Sequence, residues 1–134
     1  RKVYKTLRKH ETQEPKHKLI CVLGAAGGGR DKWKRPEMGK IATEFCDKII
    51  LTNEDPYDEN PLSILKDIEK GLRITDYKPI IDRREAIGEA LKSAYPGDTV
   101  VITGKGAEPW IMGKNGERLP WDDRTVAKEE LEKL

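Results

Sequence analysis

"KLICVLGAAGGGRDKWKRPEMGKIATEF", residues 18–45, sets the reading of this chain, because an apolar run, a glycine-rich turn and an amphipathic stretch follow one another without a break. The run 18–23 is short, apolar and partly β-branched, which fits a buried strand that stops at Gly24. Pro36 suits the first turn of a helix, and behind it Met38, Ile41, Ala42 and Phe45 fall on one stripe. The unit is strand, glycine turn, helix.

The same unit recurs along the chain. "DKIILT" (47–52) reads as a second strand, and after the polar loop "NEDPYDENP" the residues Leu62, Leu65, Ile68 and Leu72 line a helix that Gly71 helps to end. "KPII" (78–81) reads as a third strand, and the helix after Asp82 carries Ala86, Ile87, Ala90, Leu91 and Ala94 on its inner face. "YPGD" is a turn and "TVVIT" (99–103) a fourth strand. "PWIMGKNGERLPW" predicts a β-hairpin about "KNG", and a last helix starts near Asp122 or Asp123. At the other end, "RKVYKTLRKH" places Val3, Tyr4 and Leu7 at helical spacing with no capping residue ahead of them, so the segment is expected to begin inside a larger element. Strands alternating with helices predict one domain over residues 1–134: a Rossmann-like, mostly parallel open α/β sheet with helices on both faces and a C-terminal hairpin.

Charge and composition narrow the function. Of 134 residues, 37% are charged, but 26 basic against 24 acidic side chains leave a net +2, which calls for neither a nucleic acid nor an anionic membrane as partner. Of the three tryptophans only Trp33 stands among basic residues, so the repeated interleaving that a nucleic-acid surface requires is absent. The apolar runs are far too short to span a membrane, and residues 1–10 lack the apolar middle of a signal peptide, so a cytoplasmic protein is expected. Cys21 and Cys46 have no CxxC spacing and read as reduced core thiols. His10 and His17 lie away from the strand ends, no nucleophilic set stands out, and no catalytic residue is assigned.

In open α/β sheets ligands meet the loops beyond the carboxyl ends of the strands, here 24–35, 53–60, 82–84 and 104–108. The first is neither GxxxxGK[ST] nor GxGxxG, since Arg30 and Asp31 follow Gly29. Its glycines either serve a tight turn alone or bring a basic group, Arg30 with Lys32, Lys34 and Arg35, to a ligand carboxylate. The second loop gathers Glu54, Asp55, Asp58 and Glu59, as a solvated acidic turn or as a cation site. The fourth strand runs into "TGKGAE", where Gly104 and Gly106 flank Lys105 and Glu108 follows. Together these loops bring a guanidinium and several carboxylates to one edge, which suits a zwitterionic amino acid.

Three stretches then resemble one family, the C-terminal domain of the Mur ligases of the MurE type, the UDP-N-acetylmuramoyl-tripeptide synthetases. "VLGAAGGGRDKWKRPEMGKIA" is similar to that family's GxGGxRDxxKRPxMGxIA; "ILTNEDPYDENPLSILKDI" to its TxDNPRxExP loop; "GDTVVITGKGAE" and "PWDDRTVAKEEL" to its GKGHE and FDDR segments. The resemblance runs from Lys18 nearly to the end, and residues 1–10 look like the helix that follows the family's first C-terminal strand, so a domain lacking that strand is expected. It implies an ATP-dependent ligase that adds the third amino acid to the UDP-muramoyl dipeptide of peptidoglycan synthesis, through an acyl phosphate that the incoming amine attacks. It also implies that ATP and magnesium are bound mainly by a central domain and the UDP sugar by a first domain, neither of which is in this sequence, so that this segment alone is inactive. By position, Arg30 matches the family's carboxylate-gripping arginine, Asp55 stands where the loop motif has Asn, and Tyr57 where it has Arg. Gly104 and Glu108 match the glycine and acid of GKGHE, Glu54 and Lys105 are their neighbours, and Ala107 replaces the motif's His. Because Tyr57 lacks the charge with which the family's arginine holds diaminopimelate, the expected substrate is a diamino acid without a second carboxylate, such as lysine or ornithine, its side-chain ammonium facing Glu54, Asp55 or Glu108. The competing readings are a sister ligase of the folylpolyglutamate or cyanophycin type, against which "GRDKWKRP" speaks, and a non-catalytic α/β ligand-binding module.

Overall fold

A computed structural model describes residues 17–25, 32–103 and 110–134 of the chain. The strands β1 (Leu19–Leu23), β2 (Lys48–Leu51), β3 (Tyr77–Pro79) and β4 (Thr99–Ile102) form one parallel sheet in the order β3-β2-β1-β4. β1 is buried along its whole length, as its unbroken apolar run requires for a strand covered on both faces. Its alternate residues feed two cores. Leu19, Cys21 and Leu23 pack with Ala42, Ile64, Leu65 and Ile68 of helices α1 (Lys34–Phe45) and α2 (Pro61–Glu69). Ile20 and Val22 pack on the other face with Ala86, Ile87 and Ala90 of α3 (Arg83–Ser93) and Val126 of α4 (Asp123–Glu132). The hairpin pairs β5 (Trp110–Met112) with β6 (Arg118–Pro120), and Asn115 and Gly116 take the positive φ values of 56 and 76 that its tight turn demands.

Side chains set the helix starts. Asn60 accepts a hydrogen bond from the Leu62 N–H ahead of Pro61, Asp82 from Glu85 and Asp122 from Thr125. In α2, Ile64, Leu65 and Ile68 face inward while Leu62, expected on the inner face, is 47% exposed. β3 spans Tyr77–Pro79 rather than 78–81, yet the chain beyond it stays beside β2: the Ile80 N–H donates to the Leu51 carbonyl at 2.8 Å and the Ile81 carbonyl accepts from the Asn53 N–H at 3.3 Å. Helices α1 and α2 approach closely: a Cβ added to Gly71 would stand 1.6 Å from the Pro36 carbonyl oxygen.

One expectation is overturned in the core. Cys21 and Cys46 form a disulfide, with Cα atoms 6.1 Å apart. Their sequence spacing gave no hint of it because the pairing is tertiary: α1 starts above the carboxyl end of β1 and returns Cys46 beside the middle of that strand. The expected helix over residues 1–10 lies outside the described residues.

Candidate functional site

The topology points to an edge. β1 is followed by β2 on one side and flanked by β4 on the other, so the loops after β1 and β4 diverge at a topological switch point, where such sheets bind ligands. Val22 and Ile102 are register partners, so the chain leaves the described ends of β1 and β4 side by side. Arg30 falls in the segment 26–31, and Gly104, Lys105 and Glu108 in 104–109; these four residues, with Ala107, lie outside the described residues. Gly24, just before the first segment, is required by contact: a Cβ there would meet the Thr52 carbonyl oxygen at 2.7 Å.

Residues 53–60, after β2, are fully described, and their acids are engaged. Asp55 Oδ1 accepts the Met112 N–H at 2.8 Å, Asp58 Oδ1 accepts the Asn115 N–H at 2.7 Å, and the Tyr57 N–H donates to the Met112 carbonyl at 3.2 Å. These bonds staple the loop to the hairpin. Tyr57 is 40% exposed and has a φ of 54, a left-handed conformation that a bulky residue holds only where its surroundings fix it. Glu54 is half-buried beside it.

Two buried arginines, Arg35 in a role the sequence did not suggest and Arg83 not singled out there, organise this edge. Arg35, expected with the ligand-facing basic group, lies instead in the first turn of α1 with its side chain 1% exposed. Its guanidinium donates to both carboxylate oxygens of Glu59, at 2.5 and 2.9 Å, and to Asp67 Oδ2 at 3.0 Å. The hydrogen bonds it donates to Glu59, above all, raise the Arg35 pKa further. The acidic loop and the basic group thus neutralise each other in part, and the picture of a solvated acidic turn does not hold for Asp55, Asp58 and Glu59. Lys34 extends over the ring of Trp33, 5.4 Å from its centroid.

Arg83 plays the corresponding part on the other face. Its Nε and Nη2 donate to Asp123 at 2.9 and 2.8 Å, Nη1 to the Asn53 carbonyl at 3.0 Å, and Nη2 to the Thr103 carbonyl at 3.2 Å. One side chain thereby ties the outlet of β2, the outlet of β4 and the start of α4. Trp121 Nε1 adds a hydrogen bond to Asp123 Oδ1 at 2.6 Å. The signals in the sequence were "DRR" directly after a strand and "DDR" at a helix start, charged residues at strand and helix ends that a solvent-facing loop does not need.

Such an edge can bind and orient a small polar molecule. The chain has no GxxxxGK[ST], and the described residues hold no cluster of three or more His, Cys, Asp or Glu side chains arranged for an ion. His17 sits against Gly97 at the opposite edge.

Comparison with known proteins adds the following. Residues 1–106 match the family model "Mur ligase, glutamate ligase domain". The UDP-N-acetylmuramoyl-L-alanyl-D-glutamate–2,6-diaminopimelate ligase of Chlorobium phaeobacteroides is 42% identical over 119 residues, covering 89% of this chain and 23% of the relative. The enzyme of the same name from Gloeobacter violaceus is 46% identical over 118 residues, 87% of this chain and 24% of the relative. A solved structure of such a ligase superposes with a TM-score of 0.87 at 35% identity, over 98% of this chain and 26% of that one. The chain therefore spans about a quarter of the length of the relatives it matches.

Proposed function

Because the chain belongs to the Mur ligase family, as a glutamate ligase domain, we propose that it is the part of an ATP-dependent ligase that receives the amino acid to be joined to UDP-N-acetylmuramoyl-L-alanyl-D-glutamate in peptidoglycan synthesis. The amino acid is a diamino acid of the 2,6-diaminopimelate class, added as the third residue of the peptide. Residues 1–134 belong to the C-terminal domain of that enzyme. The observation that carries this reading is that relatives named for 2,6-diaminopimelate match nearly the whole chain, strand-end loops included.

This chain's part is to hold and aim the amine. Arg30 takes a carboxylate of the incoming amino acid in a bidentate grip, and Glu108 and the backbone at Gly104 hold an ammonium. Asp55 and Tyr57 shape the pocket through their bonds to Met112, with Glu54 and Lys105 at its margin. Arg35 and Arg83 fix the loops that carry these groups. ATP and magnesium, for which the described residues offer no holder, belong to the remainder of the polypeptide, as does the UDP sugar. Such an enzyme works in the cytoplasm, where ATP and the nucleotide-linked peptide are found. Among the described residues no helix is long and apolar enough to cross a membrane.

A second reading, lysine or ornithine as the amino acid, is favoured by one observation: Tyr57 places a neutral side chain where the family's loop has its arginine. Phosphate release by the full-length enzyme with UDP-N-acetylmuramoyl-L-alanyl-D-glutamate separates the two. Stimulation by meso-diaminopimelate above that by lysine or ornithine is expected; the reverse order selects the second reading, and no response to any diamino acid rejects both.

A further inference from the structure

The neutral residue at position 57 leaves a diaminopimelate-class substrate with an unmet need. Its far end is itself a zwitterion, with a carboxylate and an ammonium, whereas the end of a lysine is an ammonium alone. A guanidinium is the partner that grips a carboxylate most firmly, through two parallel hydrogen bonds. Two arginines near this edge are committed elsewhere: Arg35 to Glu59 and Asp67, and Arg83 to Asp123.

Arg118 is differently placed. It has no carboxylate partner among the described residues, and its guanidinium lies over the Trp110 ring, 4.6 Å from the centroid. Stacking of this kind fixes the orientation of the fork without neutralising its charge. Arg118 is the register partner of Met112, the residue that is hydrogen-bonded to both Asp55 and Tyr57. It lines a cavity of about 360 Å³ together with Asn53 and Pro56 of the loop and Glu117 of the hairpin. The Glu117 carboxylate likewise has no cationic partner among the described residues. A cavity beside the loop with one uncommitted charge of each sign, both on exposed side chains, matches the far end of such a diamino acid in charge and is large enough to admit it.

We propose that Arg118 forms the subsite for the distal carboxylate of the diamino acid, supplying the guanidinium that position 57 lacks, with Glu117 as a further acid beside the ammonium assigned above to Glu108. The inference rests on the diamino-acid reading above. It assigns substrate selection to the hairpin as well as to the loop after β2.

The test compares kcat/KM for meso-diaminopimelate and for L-lysine in the full-length enzyme by phosphate release. Arg118→Met is expected to lower the diaminopimelate-to-lysine ratio by about tenfold to a hundredfold, through KM for diaminopimelate. Arg118→Lys restores only part of it, because it keeps the charge and loses the planar fork. If Arg118→Met fails to fold, Arg118→Lys takes its place and must lower the same ratio. An unchanged ratio in a wild-type enzyme that uses diaminopimelate overturns the subsite and leaves the ligase reading standing. A wild-type enzyme that responds to no diamino acid overturns both.

Discussion

Arg35 shows how a single side chain can mislead a reading of charge. In the sequence it belongs to a basic run beside glycines, and a run of that kind is ordinarily solvated or ligand-facing. In the fold it is buried between Glu59 and Asp67, 24 and 32 positions away. Removing Arg35 leaves Glu59 with its longer contact to Lys32 and Asp67 with its contact to Lys70, so Arg35→Ala is expected to lower stability by about 3 kcal/mol, the lower end for a broken buried pair, in denaturant unfolding. Lysine at this position keeps the charge but reaches fewer of the three oxygens, and an intermediate loss is expected. Asp98 gives a pH signature. Hydrogen bonds from the Lys18 and Tyr95 N–H groups hold its carboxyl below the ordinary carboxylate range, so the folded state binds its proton more weakly than the unfolded chain does. The stability it contributes is complete above the unfolded pKa, about 3.9, and is lost as pH falls from there through the lower folded value. Thermal unfolding followed from pH 7 down to pH 3 checks this: Asp98→Asn should flatten the acid limb, and an unchanged limb assigns the acid sensitivity elsewhere.

The elements themselves were legible because they rest on local chemistry. Apolar runs of strand length, capping residues before three helices and an Asn-Gly pair in the hairpin each act within a few positions, and the structure places an element at every one of them among the described residues. Leu62 was misplaced because it stands in the first turn at the margin of the stripe, whose centre runs through Ile64, Leu65 and Ile68. The disulfide was illegible for the opposite reason. Cys21 and Cys46 meet only after α1 has folded back along β1, a relation that no short-range pattern encodes. Closing a loop between residues 25 positions apart should stabilise the domain by about 3 kcal/mol. Thiol titration of the denatured, unreduced chain is expected to find no free thiol, and reduction to lower the melting temperature; two titratable thiols with an unchanged melting temperature would contradict the pairing.

At the scale of the whole molecule, the alternation of elements was enough to place the strand-end loops on one edge, because a parallel sheet presents all its carboxyl-end loops on one side. Which groups on that edge are available to a ligand was not legible. Availability depends on who pairs with whom across the fold: Arg83 with Asp123, 40 positions apart, Asp55 with the Met112 amide, 57 positions apart, and Arg118 with no acid at all among the described residues. Sequence patterns supply the residue types at an edge; the tertiary ion pairs then subtract the ones already used, leaving a smaller set to act on a substrate.

The central claim is that this edge holds the amino acid and leaves the nucleotide-linked substrates to the rest of the enzyme. The most direct measurement is the set of apparent KM values of the full-length ligase carrying Arg30→Ala. The account predicts that KM for the diamino acid rises about tenfold or more while KM for ATP and for UDP-N-acetylmuramoyl-L-alanyl-D-glutamate stays near the wild-type values. An unchanged KM for the diamino acid, with the loss falling on ATP or the UDP-linked peptide, would contradict it.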